Sequence, residues 1–319
     1  MLSTSKDAPI RLDPDVVDEI QEKGGTILGS ARGGGEKTAE IVDTLERLNV
    51  NMLFTIGGDG TLRGAYKIAQ EILDRGLKIS VVGVPKTIDN DLALIQTSFG
   101  FDTAVSMAVP VVRCAHVEAK NAINGVGLVK VMGRESGFIA VHTSLAQSDV
   151  NFCLIPENPF DLQGENGLLN NLKKRLENRG HAVILVAEGA GQDLLPKTGK
   201  TDASGNTTYN DIGIFLKDEI KKYFKEQNME VNIKYIDPSY IIRSAPANSF
   251  DSFYCARLGA TAVHAAMAGK TAVLTSMMNN RFIHLPIKLA VSSRSRVDTE
   301  SALWRDVLEN TRQPNSMKN

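Results

Sequence analysis

Two short segments place acidic side chains directly after apolar, β-branched runs. In "FTIGGDGTL" at 54–62, Gly57 and Gly58 precede Asp59, and in "VPKTIDNDLA" at 84–93, Asp89 and Asp91 follow the next apolar run. Glycine lets backbone N–H groups approach an anion without obstruction by a Cβ. A carboxylate repels a bare phosphate, but it suits a Mg²⁺ ion held jointly with phosphate oxygens. The pattern indicates phosphate and metal chemistry, with a tight turn capped by Asp59 as the structural alternative.

The second segment also carries groups that fit phosphoryl transfer. Asp89 could accept the proton of an attacking hydroxyl group, as the base of such a reaction must. Lys86 and Thr87 can donate hydrogen bonds to an oxyanion.

Two later apolar runs end in further polar groups. "VKVMGRESG" places Gly133 and Arg134 after a third strand, where an arginine fork can bind a phosphate. "VAEGAG" places Glu188 after a fifth strand, where a carboxylate suits sugar hydroxyl groups. A surface ion pair remains the alternative for Arg134, and a helix-capping or structural role remains open for Glu188.

The elements that must position these residues alternate along the chain. Near-continuous apolar strands such as "KISVVGV" and "HAVILVA" are separated by segments with helical periodicity. This order predicts parallel sheets covered by helices on both faces, in two α/β halves. Ligands of open parallel sheets bind beyond the carboxyl ends of the strands, where the polar groups above fall. Pro110 predicts a kink or break in its helix, and the polar stretch 196–211 predicts a surface loop or hairpin.

Composition excludes several classes of function. The 319 residues include 42% hydrophobic and 23% charged residues, as in globular enzymes. With 36 basic and 37 acidic residues, a net charge of −1 gives no long-range attraction to nucleic acid or an anionic membrane. No apolar run approaches the roughly 20 residues of a membrane span. The three cysteines are far apart, form no metal-binding pair and favour a reducing compartment, and the five histidines are scattered too.

The motifs resemble those of the phosphofructokinases, the enzymes that phosphorylate fructose 6-phosphate. The resemblance covers nearly the whole chain and rests on "GGTILGSARGG", "GGDGT", "PKTIDND", "FGFDTA", "VKVMGRESGFIA", "LIPENPF", "VAEGAGQD" and "YIDPSYIIR". "PKTIDND" together with "MGR" is specific, whereas "GGDGT" also occurs in lipid and NAD kinases, which explain neither of the other two motifs. The resemblance implies two Rossmann-like three-layer α/β/α halves with mostly parallel sheets.

The resemblance also implies a role for each matching residue. Asp59 would contact the Mg²⁺ bound to ATP, and Asp89 would deprotonate the 1-hydroxyl group of the sugar, assisted by Thr87 and Asp91. Arg134 would hold the sugar phosphate and the transition state. The implied ATP-binding residues are Arg32, Gly33, Gly58, Asp59, Gly60 and Thr61. The implied substrate-binding residues are Thr87, Ile88, Asp89, Met132, Gly133, Arg134, Glu188, Tyr240 and Arg243.

Two positions bear on the phosphoryl donor. Pyrophosphate-dependent relatives usually carry an aspartate where this chain has Gly60, and that side chain crowds out the α-phosphate of ATP. These relatives also carry a lysine at the position of Lys86. Glycine combined with lysine is similar to the ATP-dependent group of plants and trypanosomatids. We therefore expect ATP as donor, with pyrophosphate as the alternative.

The resemblance further implies the organisation of the molecule. We expect a phosphoryl-donor domain at 1–135, a sugar-phosphate domain at 136–285 and a C-terminal extension at 286–319 that packs on the first domain. The family's first strand and its Gly-rich loop have no counterpart here, so we expect that strand to be missing and the donor site to be weakened. A catalytically impaired or regulatory subunit is the corresponding alternative.

Three expectations concern partners and setting. The family implies an allosteric enzyme of glycolysis that forms homo-oligomers, dimers or tetramers, with shared active sites. Arg243 is the candidate to reach a neighbouring subunit. We expect a cytoplasmic location, with a plastid left open, and no nucleic-acid or membrane partner.

Overall fold

The structure is a computed structural model that describes residues 9–29, 36–196, 199 and 208–319. Its strands are β1 (Met52–Gly57), β2 (Ser80–Pro85), β3 (Gly125–Val131), β4 (Phe152–Leu154), β5 (His181–Ala187), β6 (Asn232–Ile236), β7 (Val273–Met278) and β8 (Arg281–Pro286). Its α-helices are α1 (Pro14–Val17), α2 (Thr38–Arg47), α3 (Asp59–Asp74), α4 (Phe101–Lys120), α5 (Phe138–Ala146), α6 (Leu168–Arg179), α7 (Ile212–Glu226), α8 (Ser239–Ser244), α9 (Ser249–Met267), α10 (Ile287–Ala290) and α11 (Ala302–Thr311). Strands and helices alternate through most of the chain, as the sequence pattern predicts.

The chain divides into two compact units. Unit 1 comprises residues 1–103, 203–206 and 245–295, and unit 2 comprises residues 104–202, 207–244 and 296–319. These units differ from a contiguous division at 135 and 285, because β7 and β8 return to the sheet that β1 and β2 begin. The functional assignment of a donor domain and a sugar-phosphate domain stays a prediction.

Unit 1 contains a mixed sheet with the strand order β1-β2-β7-β8. The first three strands are parallel, and β8 runs antiparallel to β7. Asn279 and Asn280, which join β7 to β8, have φ angles of 48° and 61°. Two consecutive positive φ angles are typical of the tight turn that suits the twist of a hairpin, and asparagine tolerates this conformation. The sequence pattern did not predict β8.

The core of unit 1 lies on both faces of its sheet. Val81 packs with Leu62 of α3 on one face, whereas Val82 and Val84 pack with Leu258 of α9 on the other. Successive side chains of a strand point to opposite faces, so the fully buried β2 serves both layers. Helix α3 thereby packs on β1 and β2, and α9 packs on β2 from the other face.

Unit 2 contains a parallel sheet with the order β4-β5-β3-β6. Helix α6 packs on β5, α7 packs on β3 and β6, and α5 packs on β4 and β5. Phe160, Leu172 and Phe224 are among the side chains of its apolar core that are essentially inaccessible to solvent. Truncating a large core side chain of this kind to alanine lowers the free energy of unfolding by about 2–5 kcal/mol, so this core contributes strongly to the stability of the unit. The prediction of mostly parallel α/β sheets is confirmed in both units.

Three other details of the structure concern the predictions. Helix α4 runs without a break through Pro110, so the chain is not interrupted there. Most of the polar stretch 196–211 lies outside the described residues, and its described end leads into Asp211, the N-cap of α7. None of the helices within the described ranges combines the length and the apolar character needed to cross a membrane.

Candidate active site

The sequence-predicted residues fall into two groups, one in each unit. The unit 1 set contains Asp59, Thr87, Asp89 and Asp91, which follow the ends of β1 and β2. In the parallel pairing of these strands Gly57 lies opposite Pro85, and the backbone N–H of Lys86 donates to the carbonyl of Gly57 at 2.8 Å. Neighbouring strand ends therefore bring both acidic segments to one edge of this sheet, as predicted.

Asp59 is the first residue of α3, and Gly58 is its N-cap. The Arg63 Nε donates to both carboxylate oxygens of Asp59, at 3.0 and 3.1 Å. A guanidinium nitrogen of Arg294 lies 3.7 Å from Oδ2 of the same carboxylate. The Arg63 side chain is half exposed, and such ion pairs contribute less than about 1 kcal/mol. Since Asp59 is not the capping residue and its ion pair is weak, the carboxylate can exchange Arg63 for another cation.

The segment 87–91 forms a turn held by side chains of unit 1. Asn90 has a φ angle of 53°, which asparagine tolerates well, and its Oδ1 accepts from the backbone N–H of Ser98 at 2.8 Å. Thr87 Oγ1 accepts from the backbone N–H of Asp89 and donates to Oδ1 of Asp91, both at 3.3 Å. The turn thus places both aspartates of "TIDND" next to the same threonine hydroxyl.

Asp91 is the buried member of the unit 1 set. Burial raises the pKa of its carboxyl group, and the charge of Arg294 opposes that shift. The C-terminal part of unit 1 also fixes the backbone here, since the N–H of Ser295 donates to the carbonyl of Asp91 at 2.8 Å. Arg294 is therefore a shared electrostatic partner of Asp59 and Asp91.

The remaining unit 1 predictions concern the donor. A Cβ added to Gly60 would meet no atom within 4 Å, and Gly60 has no unusual φ angle, so the fold does not require glycine there. Lys86 is exposed, Thr61 lies in the first turn of α3, and the Ile88 side chain lies against Gly100. The predicted residues Arg32 and Gly33 lie outside the described residues.

The unit 2 set contains Arg134, Glu188, Tyr240 and Arg243. Strands β3 and β5 pair in parallel with Val131 opposite Ala187, so Met132 and Glu188 follow neighbouring strand ends. The backbone N–H of Glu188 donates to the carbonyl of Val131 at 2.9 Å. The four strand ends of the prediction are thus distributed over two sheets, two in each.

Close backbone packing shapes the loop after β3. Gly133 has a φ angle of 127°, and the N–H of Gly189 donates to its carbonyl at 3.0 Å. A Cβ added to Gly189 would lie 1.9 Å from the carbonyl oxygen of Arg134. Glycine at 133 and 189 therefore lets the two loops touch, and this contact fixes the backbone from which the Arg134 side chain extends.

Glu188 lies within electrostatic reach of three cations. Burial raises the pKa of the Glu188 carboxyl group, and the charges of Arg243, Lys130 and Arg134 oppose that shift. Tyr240 and Arg243 are three residues apart on α8, so they share one side of that helix, and the Tyr240 side chain is 81% exposed. Arginines suit a phosphate group and a carboxylate suits hydroxyl groups, so this combination fits a ligand that carries both.

Lys130 ties α8 to the sheet. Its ammonium group donates to Asp211 at 2.6 Å and lies 2.9 Å from Oδ2 of Asp237. Asp237 in turn accepts from the backbone N–H of Ser239, the first residue of α8, at 3.0 Å. These hydrogen bonds raise the pKa of Lys130 against the opposing effect of burial, so the ammonium form is strongly favoured.

Several residues around the two sets were not predicted from the sequence. Arg63 could have been found, because it stands four residues after Asp59, the spacing of helical ion pairs. Lys130, Tyr209 and Arg294 carry no such local signal, because their partners are distant along the chain.

The unit 1 set fits a Mg²⁺ ion of the kind expected. Across the residues that the structure describes, no three His, Cys, Asp or Glu side chains are grouped closely enough to hold a metal alone. Mg²⁺ bound with a nucleotide needs only one or two carboxylates, since phosphate oxygens and waters complete its coordination. The partly exposed Asp59, near Asp91, matches that requirement.

Comparisons with known proteins identify the family of the chain. The family model described as "Phosphofructokinase" matches residues 3–266. A relative from Borreliella burgdorferi, named ATP-dependent 6-phosphofructokinase, is 60% identical over all of this chain and 73% of its own length. ATP-dependent 6-phosphofructokinase 7 of Arabidopsis thaliana is 47% identical over 96% of this chain, and the ATP-dependent 6-phosphofructokinase of Trypanosoma brucei brucei is 48% identical over 95%. This chain spans 63% and 62%, respectively, of the lengths of those two relatives, less than two thirds in both cases.

Solved structures support the fold. The pyrophosphate-dependent phosphofructokinase from Nitrosospira multiformis has a TM-score of 0.76 at 18% identity, over 95% of this chain and 78% of that chain. At this identity the likeness concerns the fold alone. Fold, motifs and relatives together establish that the chain belongs to the phosphofructokinase family.

Proposed function

We propose that this protein transfers the terminal phosphoryl group of ATP to the 1-hydroxyl group of D-fructose 6-phosphate, giving fructose 1,6-bisphosphate and ADP. The observation that carries the proposal is the turn 87–91, in which Thr87 bridges Asp89 and Asp91 in a member of the phosphofructokinase family. The relatives from Borreliella, Arabidopsis and Trypanosoma, all named ATP-dependent 6-phosphofructokinases, support the choice of reaction.

The unit 1 set would act on the hydroxyl and on the donor. Asp89 would take the proton of the sugar 1-hydroxyl group as the hydroxyl oxygen forms a bond to the γ-phosphorus of ATP. The bond between that phosphorus and the β,γ-bridging oxygen would break in the same step. Thr87 and Asp91 would hold the turn that aims Asp89. Asp59 would hold the Mg²⁺ of the nucleotide, which, when bound, supplies positive charge to the phosphate oxygens.

The unit 2 set would bind the sugar phosphate. The Arg134 guanidinium would donate two parallel hydrogen bonds to phosphate oxygens, which a lysine cannot do. Glu188 would accept hydrogen bonds from sugar hydroxyl groups, and Tyr240 and Arg243 would contact the 6-phosphate. Met132 and Gly133 would line the same site through their backbone.

Gly60 supports ATP over pyrophosphate as the donor. Because the fold leaves open space at this position, an acidic side chain could be accommodated, and its absence is consistent with room for a nucleotide. Lys86 is compatible with either donor, so the choice depends on Gly60.

The proposal includes the setting of the enzyme. We propose a homo-oligomer in which Arg243 serves a neighbouring subunit, and a cytoplasmic location. Two of the Arabidopsis relatives have names that include "chloroplastic", whereas the names of others do not, so the compartment needs its own measurement.

A coupled assay tests the proposed reaction. Purified protein is supplied with fructose 6-phosphate, Mg²⁺ and either ATP or pyrophosphate, and formation of fructose 1,6-bisphosphate is followed. Turnover with ATP at least tenfold above that with pyrophosphate supports the proposal. Activity with pyrophosphate alone would overturn the choice of donor, and no turnover with either donor would favour a regulatory subunit.

A further inference from the structure

The Arg134 side chain lies over an aromatic ring that no motif predicted. Its guanidinium carbon is 4.7 Å from the centroid of the Tyr209 ring. The Tyr209 hydroxyl donates to Oε1 of Glu135 at 3.1 Å, and a guanidinium nitrogen of Arg296 lies 3.5 Å from Oε2 of the same carboxylate. The ring is thus oriented at its hydroxyl end by the residue next to Arg134.

The backbone that carries Tyr209 is also well anchored. Two residues later Asp211 caps α7 by accepting from the N–H of Ile214 at 3.0 Å, and it accepts from Lys130 at 2.6 Å and from the Tyr235 hydroxyl at 3.0 Å. The amide of Gln192 donates to the carbonyl of Asn210 at 3.1 Å. Strands β3 and β6 and helix α7 therefore hold the segment 209–211, and the ring of Tyr209 is presented from a fixed position.

A fixed ring below an arginine has a definite physical effect. The face of an aromatic ring attracts a guanidinium group and favours a parallel or tilted plane over it. An arginine side chain otherwise samples many rotamers, and binding a phosphate through its fork requires one of them. Orienting the fork before the ligand arrives reduces the entropy lost on binding and places the charge where the transition state needs it.

We infer that Tyr209 is a positioning residue for Arg134, acting through the face of its ring. This inference rests on the proposed function, because it assumes that Arg134 binds the sugar phosphate and the transferring group. Tyr209 itself is assigned no contact with substrate. The hydroxyl group contributes through Glu135, but the stacking contact needs only the ring.

Two substitutions separate the ring from the hydroxyl group. Tyr209→Leu removes both, whereas Tyr209→Phe keeps the stacking face. We expect Tyr209→Leu to lower kcat/KM for fructose 6-phosphate about tenfold, which corresponds to about 1.4 kcal/mol and matches a partly desolvated cation–π contact. Tyr209→Phe should stay within about twofold of the wild type, and KM for ATP should change little in both variants.

A double-mutant cycle tests whether the effect passes through Arg134. In the Arg134→Gln background, Tyr209→Leu should cause no further loss of kcat/KM, because the side chain it positions is gone. Tyr223→Leu serves as a control, since it removes a partly buried tyrosine ring from α7 of the same unit. It is expected to lower Tm without changing the kinetic constants.

A spectroscopic measurement tests the contact without using activity. In protein labelled with ¹⁵N-arginine, the Nε–H signal of Arg134 is assigned by its loss in Arg134→Gln. Ring-current shifts should make this signal move in Tyr209→Leu and stay close to its wild-type position in Tyr209→Phe. An unmoved signal in Tyr209→Leu overturns the inference, as does an equal kinetic loss in the Leu and Phe variants or a full tenfold loss in the Arg134→Gln background. If the wild type transfers no phosphoryl group, the proposed function fails and the signal alone decides on the contact.

Discussion

The unit 1 set and the unit 2 set have opposite charge. Three carboxylates dominate the first set, and the arginines near them, Arg63 and Arg294, contact Asp59. In the second set the charges of two arginines, Arg134 and Arg243, act on one carboxylate, Glu188. Each sheet thus presents a different kind of group at its strand ends, although both sheets are built by the same alternation of strands and helices.

Under the proposed function, the two α/β units would take different parts of one reaction. Carboxylates suit a metal-bound donor and a hydroxyl group that must lose a proton. Arginines suit a phosphate that must be held in one orientation. We expect substitutions in the unit 1 set to affect turnover and donor choice, and substitutions in the unit 2 set to affect binding of the sugar phosphate.

Asp89→Ser should have the largest effect. Removing a general base lowers rates by about 10²–10⁴-fold, and we expect kcat to fall about 10³-fold while KM for fructose 6-phosphate changes less than threefold. Asp74→Ser, which alters an exposed acid at the end of α3, is the matched control and should retain full turnover. Steady-state kinetics measure both variants, and an Asp89→Ser variant with normal turnover would remove Asp89 from the mechanism.

Arg134→Lys should have the next largest effect. Lysine keeps the charge but loses the planar fork, and loss of a charge-assisted hydrogen bond costs about 1.5–3 kcal/mol. We expect kcat/KM for fructose 6-phosphate to fall about 10- to 100-fold. Arg305→Lys, on the exposed side of α11, is the control, and its kcat/KM should equal that of the wild type. Equal kinetics for the two variants would contradict the role of the fork.

Gly60→Asp should change the donor with little effect on the fold. Its side chain would enter open space in the first turn of α3, where the helix dipole favours an acidic residue by about 0.3–1 kcal/mol. We expect kcat/KM for ATP to fall at least tenfold, with Tm within about 2 °C of the wild type. Gly64→Asp is the matched control, since Gly64 lies one turn later on α3 and also faces open space. An equal loss in both variants would mean that the effect belongs to the helix and not to the donor.

Glu188→Gln should have the smallest effect and a characteristic pH dependence. Because the folded-state pKa is raised, the folded protein keeps this proton to a higher pH than the unfolded chain does. The stability that Glu188 contributes is therefore fully present below its ordinary pKa and is lost as the pH rises through the folded-state pKa. Glutamine does not titrate, so the variant should gain about 1–2 °C in Tm relative to the wild type between pH 4 and pH 7.5.

Glu157→Gln is the matched control for that experiment. Burial raises the pKa of the Glu157 carboxyl group too, but its Oε1 accepts from the backbone N–H groups of Gly137 and Val297. Both variants should show the same direction of pH dependence. Only Glu188→Gln should raise KM for fructose 6-phosphate, by about fivefold, and a similar rise in Glu157→Gln would contradict the assignment of Glu188 to the sugar.

The sequence predicted the parts of the fold that depend on local pattern. The positions of β2 and β3 followed from apolar runs, and the motifs around Asp59 and Asp89 followed from their places at strand ends. What the sequence could not show depends on contacts between distant residues. Arg294 reaches Asp59 only because the chain returns to unit 1, and Tyr209 contacts Arg134 although the two lie 75 positions apart in the sequence. The hairpin at Asn279 and Asn280 had a local signal, since paired asparagines tolerate the positive φ angles of its turn.

Binding of fructose 6-phosphate in the absence of a donor tests the division between the two sets most directly. Isothermal titration calorimetry would compare the wild type, Asp89→Ser and Arg134→Lys under identical conditions. We predict that Asp89→Ser binds the sugar phosphate within twofold of the wild type, because its role begins with proton transfer, and that Arg134→Lys binds at least tenfold more weakly. Equal weakening in both variants, or unchanged binding in Arg134→Lys, would contradict the account.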